Sequence, residues 1–248
     1  MDPAQLAQGL ISFANLPLYK KARVTFPPPP DYRRPKENVA VKVLENVLNK
    51  VVFSGKEYSS VFVNSQVPPH ESSNLAADLA IEYMTKTQQI RVLCFIEAKR
   101  TPRSESYITK AVEEEALDYC KEFFGDRSNT ASFVYAGTLV GVHLRLWIVY
   151  RADKEEDLSL TPLWGSPHLG SNEDYKDLGD NDEGQDILKT FHDMIRIAPQ
   201  AWIGAGSTAI RSGGAIQLPR LGQPDFIPEP SQPSAPAPIH PNFSVGPM

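Results

Sequence analysis

The sequence predicts a mixed α/β domain with the order helix, three strands, helix, two strands. Residues 35–51 place Ala40, Val43, Leu44, Val47, Leu48 and Val51 at helical spacing. Three strand-like runs follow, separated by polar or proline-bearing turns. A second helix-length stretch, residues 104–124, then precedes two more runs rich in β-branched and aromatic residues.

Phe26-Pro27-Pro28-Pro29-Pro30 cannot be helix or central strand, because proline fixes φ and lacks an amide donor. The run favours polyproline II, so residues 1–34 read as a proline-rich arm, with the core expected to begin after it. Pro35 stands where a helix tolerates an N1 proline and opens the first helix. Tyr58 to Val63, Leu75 to Tyr83 and Ile90 to Ala98 read as consecutive antiparallel strands. Gly125 is placed to end the second helix, and Ser132 to Thr138 and Val142 to Tyr150 supply two further strands. The core therefore spans residues 35–151. Residues 152–218 read as an acidic, glycine-spaced loop (Glu173 to Asp186) and a C-terminal helical extension, with an amphipathic helix from Ile187 to Ile197 stopped by Pro199. Residues 219–248, rich in proline and small side chains, are expected to be a disordered tail or a linker. There is no internal repeat.

At 248 residues the chain is long enough to bury a core. No apolar run reaches bilayer length, and the start, Met1-Asp2-Pro3-Ala4-Gln5, lacks a basic signal region, so an intracellular site in cytoplasm or nucleus is expected. Cys94 and Cys120 form neither a zinc pattern nor a disulfide framework and are expected as buried free thiols. A net charge of -5 argues against indiscriminate coating of nucleic acid, which depends on lysine and arginine. It leaves room for a local basic groove, and Lys99-Arg100-Thr101-Pro102-Arg103 is locally basic.

The run Ile90 to Ile96 reads as a buried strand and ends in Glu97-Ala98-Lys99. Alternation along a strand points Glu97 and Lys99 to one face, about 7 Å apart. Asp78, within the apolar stretch Leu75 to Ile81, is positioned to meet them from the neighbouring strand. The plain reading of Glu97 and Lys99 is a solvated strand end with a surface ion pair.

The element order and these placements resemble the PD-(D/E)XK nuclease superfamily, whose restriction-endonuclease-like core is αβββαβ. Its second-strand acidic residue corresponds to Asp78 and its third-strand (D/E)XK to Glu97, Ala98 and Lys99. The RecB-like branch often carries Gln-x-x-x-Tyr on the next helix; here Glu115 and Tyr119 stand at that spacing, with glutamate in place of glutamine. Asp78 is preceded by Ala77 rather than proline. The resemblance covers residues 35–151 and implies an αβββαββ mixed sheet flanked by helices.

It further implies a nuclease dependent on Mg²⁺ or Mn²⁺. Phosphodiester hydrolysis needs a nucleophilic water, a hold on the non-bridging oxygens and charge relief at the leaving oxygen, which carboxylate-held divalent ions supply. Asp78 and Glu97 would be the ligands, joined by the carbonyl of Ala98. Lys99 would orient or deprotonate the attacking water, or stabilise the pentavalent phosphorus. DNA is favoured over RNA as substrate by the resemblance alone.

Two auxiliary carboxylates are suggested. On a helical wheel Glu115 shares the stripe of Ile108, Val112, Tyr119 and Phe123, whereas Glu113 and Glu114 fall away from it. An inward glutamate needs a partner, either Lys99 and the metal site or an arginine. Glu37 shares the stripe of Leu44 and Leu48, where the superfamily often has a further carboxylate; a first-turn glutamate also suits the helix dipole.

Other patterns carry less. Asp174-Tyr175-Lys176 repeats the triplet with no strand before it. The glycine spacing at Gly204 to Ala209 lacks the βαβ context of a dinucleotide site. Asp177 to Asp182 lacks EF-hand spacing and is expected as a solvated loop. His143 and Arg145 share a strand face and are expected to face solvent, with phosphate contact as the alternative. No Ser-His-Asp or Cys-His arrangement is legible.

Two other functions fit the sequence: a catalytically inactive binding or scaffold module of the same fold, and an intracellular effector-type interaction protein. In the second, the proline-rich tail would dock a protein partner.

Overall fold

The computed structural model describes residues 6–23, 36–100, 108–126 and 128–199. The chain opens with a small hairpin, β1 (Leu6–Gln8) and β2 (Ile11–Ser12), followed by α1 (Leu16–Ala22). Leu10, Ile11, Tyr19 and Ala22 are buried in the main core. The folded unit thus begins before the proline run rather than after it, because these side chains complete the apolar layer that α2 begins. The proline run, Pro35 and the end of the locally basic stretch, Thr101 to Arg103, lie outside the described residues, as do Gly204 to Ala209 and the tail.

Helix α2 (Glu37–Val47) buries Val39, Ala40, Val43, Leu44 and Val47 along one stripe and carries Glu37 in its first turn. It continues as a π-helical turn, Leu48–Val52, whose end is fixed by the N–H of Phe53 donating to the carbonyl of Leu48. This wider turn brings Val52 into the core.

The sheet consists of β3 (Val61–Val67), β4 (Ala77–Met84), β5 (Ile90–Lys99), β6 (Phe133–Val140), β7 (His143–Tyr150) and β8 (Thr161–Pro162), in that spatial order, with β9 (Lys176–Asp177) also pairing with β7. The first three strands pair antiparallel, as expected. Between β5 and β6 the chain crosses over through α3 (Ile108–Gly125), and those two strands are parallel. A helical crossover returns the chain to the same sheet edge in the same direction, which is why the pairing changes there. Gly141, at φ +65°, then turns β6 into the antiparallel β7.

Helices flank both faces. The α2 side carries the larger core, with α1 and α4 (Asn181–Arg196) contributing. The α3 side packs Ala116, Tyr119, Cys120 and Phe123 on Ala80, Phe95, Val134 and Trp147. Every residue of β6 is buried, consistent with a central strand covered on both faces. Cys94 and Cys120 are buried free thiols. Among the described residues no helix is long and apolar enough to cross a membrane.

The stretch expected as an acidic loop is more ordered than its composition suggests. Asp177 is buried and accepts the Tyr19 hydroxyl at 2.9 Å and the N–H of Gly179 at 2.8 Å. Asp180 caps α4 through the N–H groups of Asp182 and Glu183. The carboxylates here answer main-chain donors and a tyrosine rather than water, so α4 starts six residues before Ile187.

Candidate active site at the carboxyl end of β5

The antiparallel ladder between β4 and β5 has its last pair at Leu79 and Ile96. Asp78 lies one residue beyond it and therefore stands opposite Glu97. On the other side, the pairs Ser65 with Leu79 and Val67 with Ala77 set Gln66 opposite Asp78. Glu97 pairs with Thr138 on β6, and Thr138 with Arg145 on β7. A polar row thus crosses five strands of the sheet.

Asp78 Oδ2 accepts the main-chain N–H of Ala98 at 3.0 Å, and Oδ1 accepts the Gln66 side-chain amide at 3.3 Å. The N–H of Gly141 donates to the carbonyl of Lys99. By the alternation of a strand, the peptide groups of Ala98 then face β4 and Asp78. Gln66 holds φ at +56°, uncommon for a residue with a side chain.

Glu97 is buried, 4 % exposed, yet both carboxylate oxygens are engaged. Lys99 Nζ donates to Oε1 at 2.6 Å and the Tyr119 hydroxyl donates to Oε2 at 2.9 Å. Lys99 Nζ also lies 2.6 Å from Glu115 Oε2. The sequence-derived residues Asp78, Glu97, Ala98, Lys99, Glu115 and Tyr119 therefore come together, and Glu37 at the head of α2 lies close enough for its charge to act on Asp78. Of the two partners open to Glu115, the structure gives Lys99, although the Glu115 side chain is about half exposed.

The electrostatics follow from this crowding. Burial first, then repulsion from Asp78, push the Glu97 carboxyl up to about 7, against the pull of Lys99 and Tyr119. Burial raises Asp78 as well, with Glu37 adding to the rise and the Ala98 N–H opposing it. Burial works against the Lys99 ammonium, but its hydrogen bonds to Glu115 and Glu97 outweigh that and hold it above the ordinary lysine range. Tyr119 is raised by burial and by the charge of Glu97, so it stays a hydrogen-bond donor. Lys99 is thus held protonated between Glu97 and Glu115, with the charges of Asp78 and Glu37 close by.

A second buried network adjoins the first on α3. Arg145 is fully buried, not solvent-facing as its strand alternation suggests. Its guanidinium lies 3.4 Å from Glu113 and 3.0 Å from Asp174, and stacks 4.0 Å over the ring of Trp147. It also donates to the carbonyls of Ser166 and His168. Glu113, outside the apolar stripe of the wheel, is completely buried and accepts from Gly170 N–H at 2.6 Å and from the Tyr175 hydroxyl at 3.1 Å. Tyr175 also reaches Thr138 Oγ1 at 2.8 Å. Asp174-Tyr175-Lys176 thus serves this network and β9, away from Asp78. His143 is half-exposed, 3.9 Å from Asp177.

Among the described residues no group of three or more His, Cys, Asp or Glu side chains is arranged to hold a metal ion. Comparison of the chain with protein-family models, with curated proteins and with solved structures gives no match.

Proposed function

We propose that the protein is a nuclease of the PD-(D/E)XK type, with a restriction-endonuclease-like core and Mg²⁺ or Mn²⁺ as cofactor. The carrying observation is Asp78 and Glu97 facing each other from adjacent strands, with Lys99 at 2.6 Å from Glu97. The helix, three antiparallel strands, crossover helix and parallel fourth strand support the same reading.

The donor set fits a hard divalent ion. Mg²⁺ is typically held by one or two carboxylates, with waters and substrate phosphates completing the shell. Asp78 and Glu97 are such a pair, each raised by burial and by a neighbouring carboxylate, a charge excess that a dication relieves. The carbonyl of Ala98 faces the same side. When bound, the ion would activate water and neutralise phosphate charge.

The protein's own groups have separable roles in this reading. Tyr119 orients Glu97 by donating to one oxygen, leaving lone pairs on both. The Ala98 N–H and the Gln66 amide fix Asp78. Lys99, held protonated, contributes positive charge to the non-bridging oxygens as negative charge develops there, and positions water through its N–H groups. Glu115 steadies the ammonium, and Glu37 adds negative potential from α2.

The test is incubation of plasmid, linear DNA and RNA with Mg²⁺, Mn²⁺ or EDTA, comparing wild type with Glu97→Gln. Metal-dependent cleavage by wild type alone is expected, with DNA preferred. Equal cleavage by both proteins would overturn the site, and absence of cleavage would favour a binding module of the same architecture.

A further inference from the structure

At the opposite end of β5 from the carboxylates, a groove of about 1270 Å³ runs between the first residues of β5 and the last turns of α3. It exceeds the usual range for small-molecule pockets, roughly 300 to 1,000 Å³, and is open enough for a peptide. Its lining includes Leu75, Ile90, Val92 and Phe123, and Leu75 and Ile90 remain 39 % and 56 % exposed. Among its described lining residues the carboxylates Glu71, Asp118, Glu122, Asp126 and Glu155 outnumber the cations Arg91 and Lys121. Lys121 pairs with Asp118, and the His70 ring is hydrogen-bonded to Glu122 at 2.9 Å. Glu71 and Glu155 have no ion-pair partner among the described residues. Arg91 also lines the groove, its guanidinium donating to the Gln89 side chain at 2.7 Å.

Pro199, the last described residue, stands on the rim of this groove. The chain that continues from it is complementary. Residues 200–223 contain no Asp or Glu, in a protein with 30 of them among 248 residues. They carry Arg211 and Arg220, together with Trp202, Ile203, Ile210, Ile216, Leu218 and Leu221. The sequence after Pro199 is thus positively charged and apolar, complementary to a groove whose described lining is rich in carboxylates and carries the exposed Leu75 and Ile90.

We propose that residues 200–223 dock in this groove of their own chain, covering Leu75 and Ile90 and placing Arg211 and Arg220 against the carboxylates. Tethering at Pro199 gives the segment a high effective concentration, so modest complementarity suffices for occupancy. The inference is independent of the metal-site reading, since none of the groove residues belongs to that site.

The test is backbone NMR of the full chain, reading ¹H–¹⁵N heteronuclear NOE values across residues 200–223 and amide shifts at Ile90, Arg91 and Val92. Wild type is expected to show core-like NOE values over part of that segment. Arg211→Glu with Arg220→Glu is expected to return it to free-chain values and to shift the β5 amides. Glu71→Lys with Glu155→Lys, on exposed side chains, is expected to do the same, and combining all four changes to restore docking. Free-chain values in wild type would overturn the proposal. So would order that survives the groove variant, which would place the segment elsewhere. Order that disappears on dilution would assign the groove to a second copy and overturn docking within the chain.

Discussion

Asp78 and Ala98 are joined by a hydrogen bond of 3.0 Å in which the carboxylate takes the main-chain N–H of the neighbouring strand. The side chain stands in for a ladder bond just where the β4–β5 pairing ends. This ties a candidate metal ligand to the integrity of the sheet, so its substitutions separate two effects. Asp78→Asn keeps an acceptor for Ala98, whereas Asp78→Ala leaves that N–H unanswered, at a cost of about 1–3 kcal/mol. Both variants are expected to lose metal-dependent cleavage, and urea unfolding is expected to show a marked loss of stability only for alanine.

Glu97 makes stability depend on pH. Its folded value of about 7 lies above the ordinary 4.5, so the folded state binds the proton more tightly than the unfolded chain. The stabilising contribution is complete below pH 4.5 and is lost as pH rises through 7, amounting to a few kcal/mol at about 1.4 kcal/mol per unit. In EDTA, the melting temperature of wild type should therefore fall between pH 5 and pH 7.5 more steeply than that of Glu97→Gln. Added Mg²⁺ should reduce that fall, because the ion favours the ionised carboxyl. An identical slope for the two proteins would refute this account of Glu97.

Lys99 stays protonated through neutral pH. Lys99→Ala is expected to lower the single-turnover cleavage rate by roughly 10²-fold or more, on the scale of lost transition-state charge stabilisation. Lys99→Arg should restore part of it. The cleavage rate of wild type is expected to show no ionisation attributable to this lysine between pH 6 and 9.

Arg145 and Glu113 are both fully buried. Removing one partner strands the other charge away from water, a loss of about 3–5 kcal/mol. Arg145→Met and Glu113→Gln should each lower the urea midpoint strongly, and the double variant should be less destabilised than the two single losses combined. A double-mutant cycle measures that coupling.

The strands and the first site were legible because their signals are local. Apolar runs bounded by turn residues located β4, β5, β6 and β7 to within a few residues, and the polar ends of β5 stood out against them. Glu113 was not, because a helical wheel weighs a residue only against its own helix. Its burial is set by Arg145, 32 positions away on β7. An arginine inside the apolar run Val142 to Tyr150 was the available signal, since a central strand can hold it only with a buried carboxylate. Asp177 hid for the same reason: its main partner is Tyr19, 158 positions earlier. The N-terminal hairpin was masked by the proline run, a strong local break with folded chain on both sides.

Glu113 and Tyr119 lie on α3 less than two turns apart, and each is anchored to a different strand of the same polar row. A helix held by hydrophobic contact alone can slide along a sheet at small cost, since one methyl group replaces another. Here a displacement by even a single turn would tear both anchorages at once, with no alternative partners one step along. The helix is thereby indexed, like a key with two teeth, and the alignment of Glu97 with its tyrosine persists for as long as the domain remains folded. Amide exchange in the middle of α3 should accordingly follow global unfolding, without a lower-energy opening of its own.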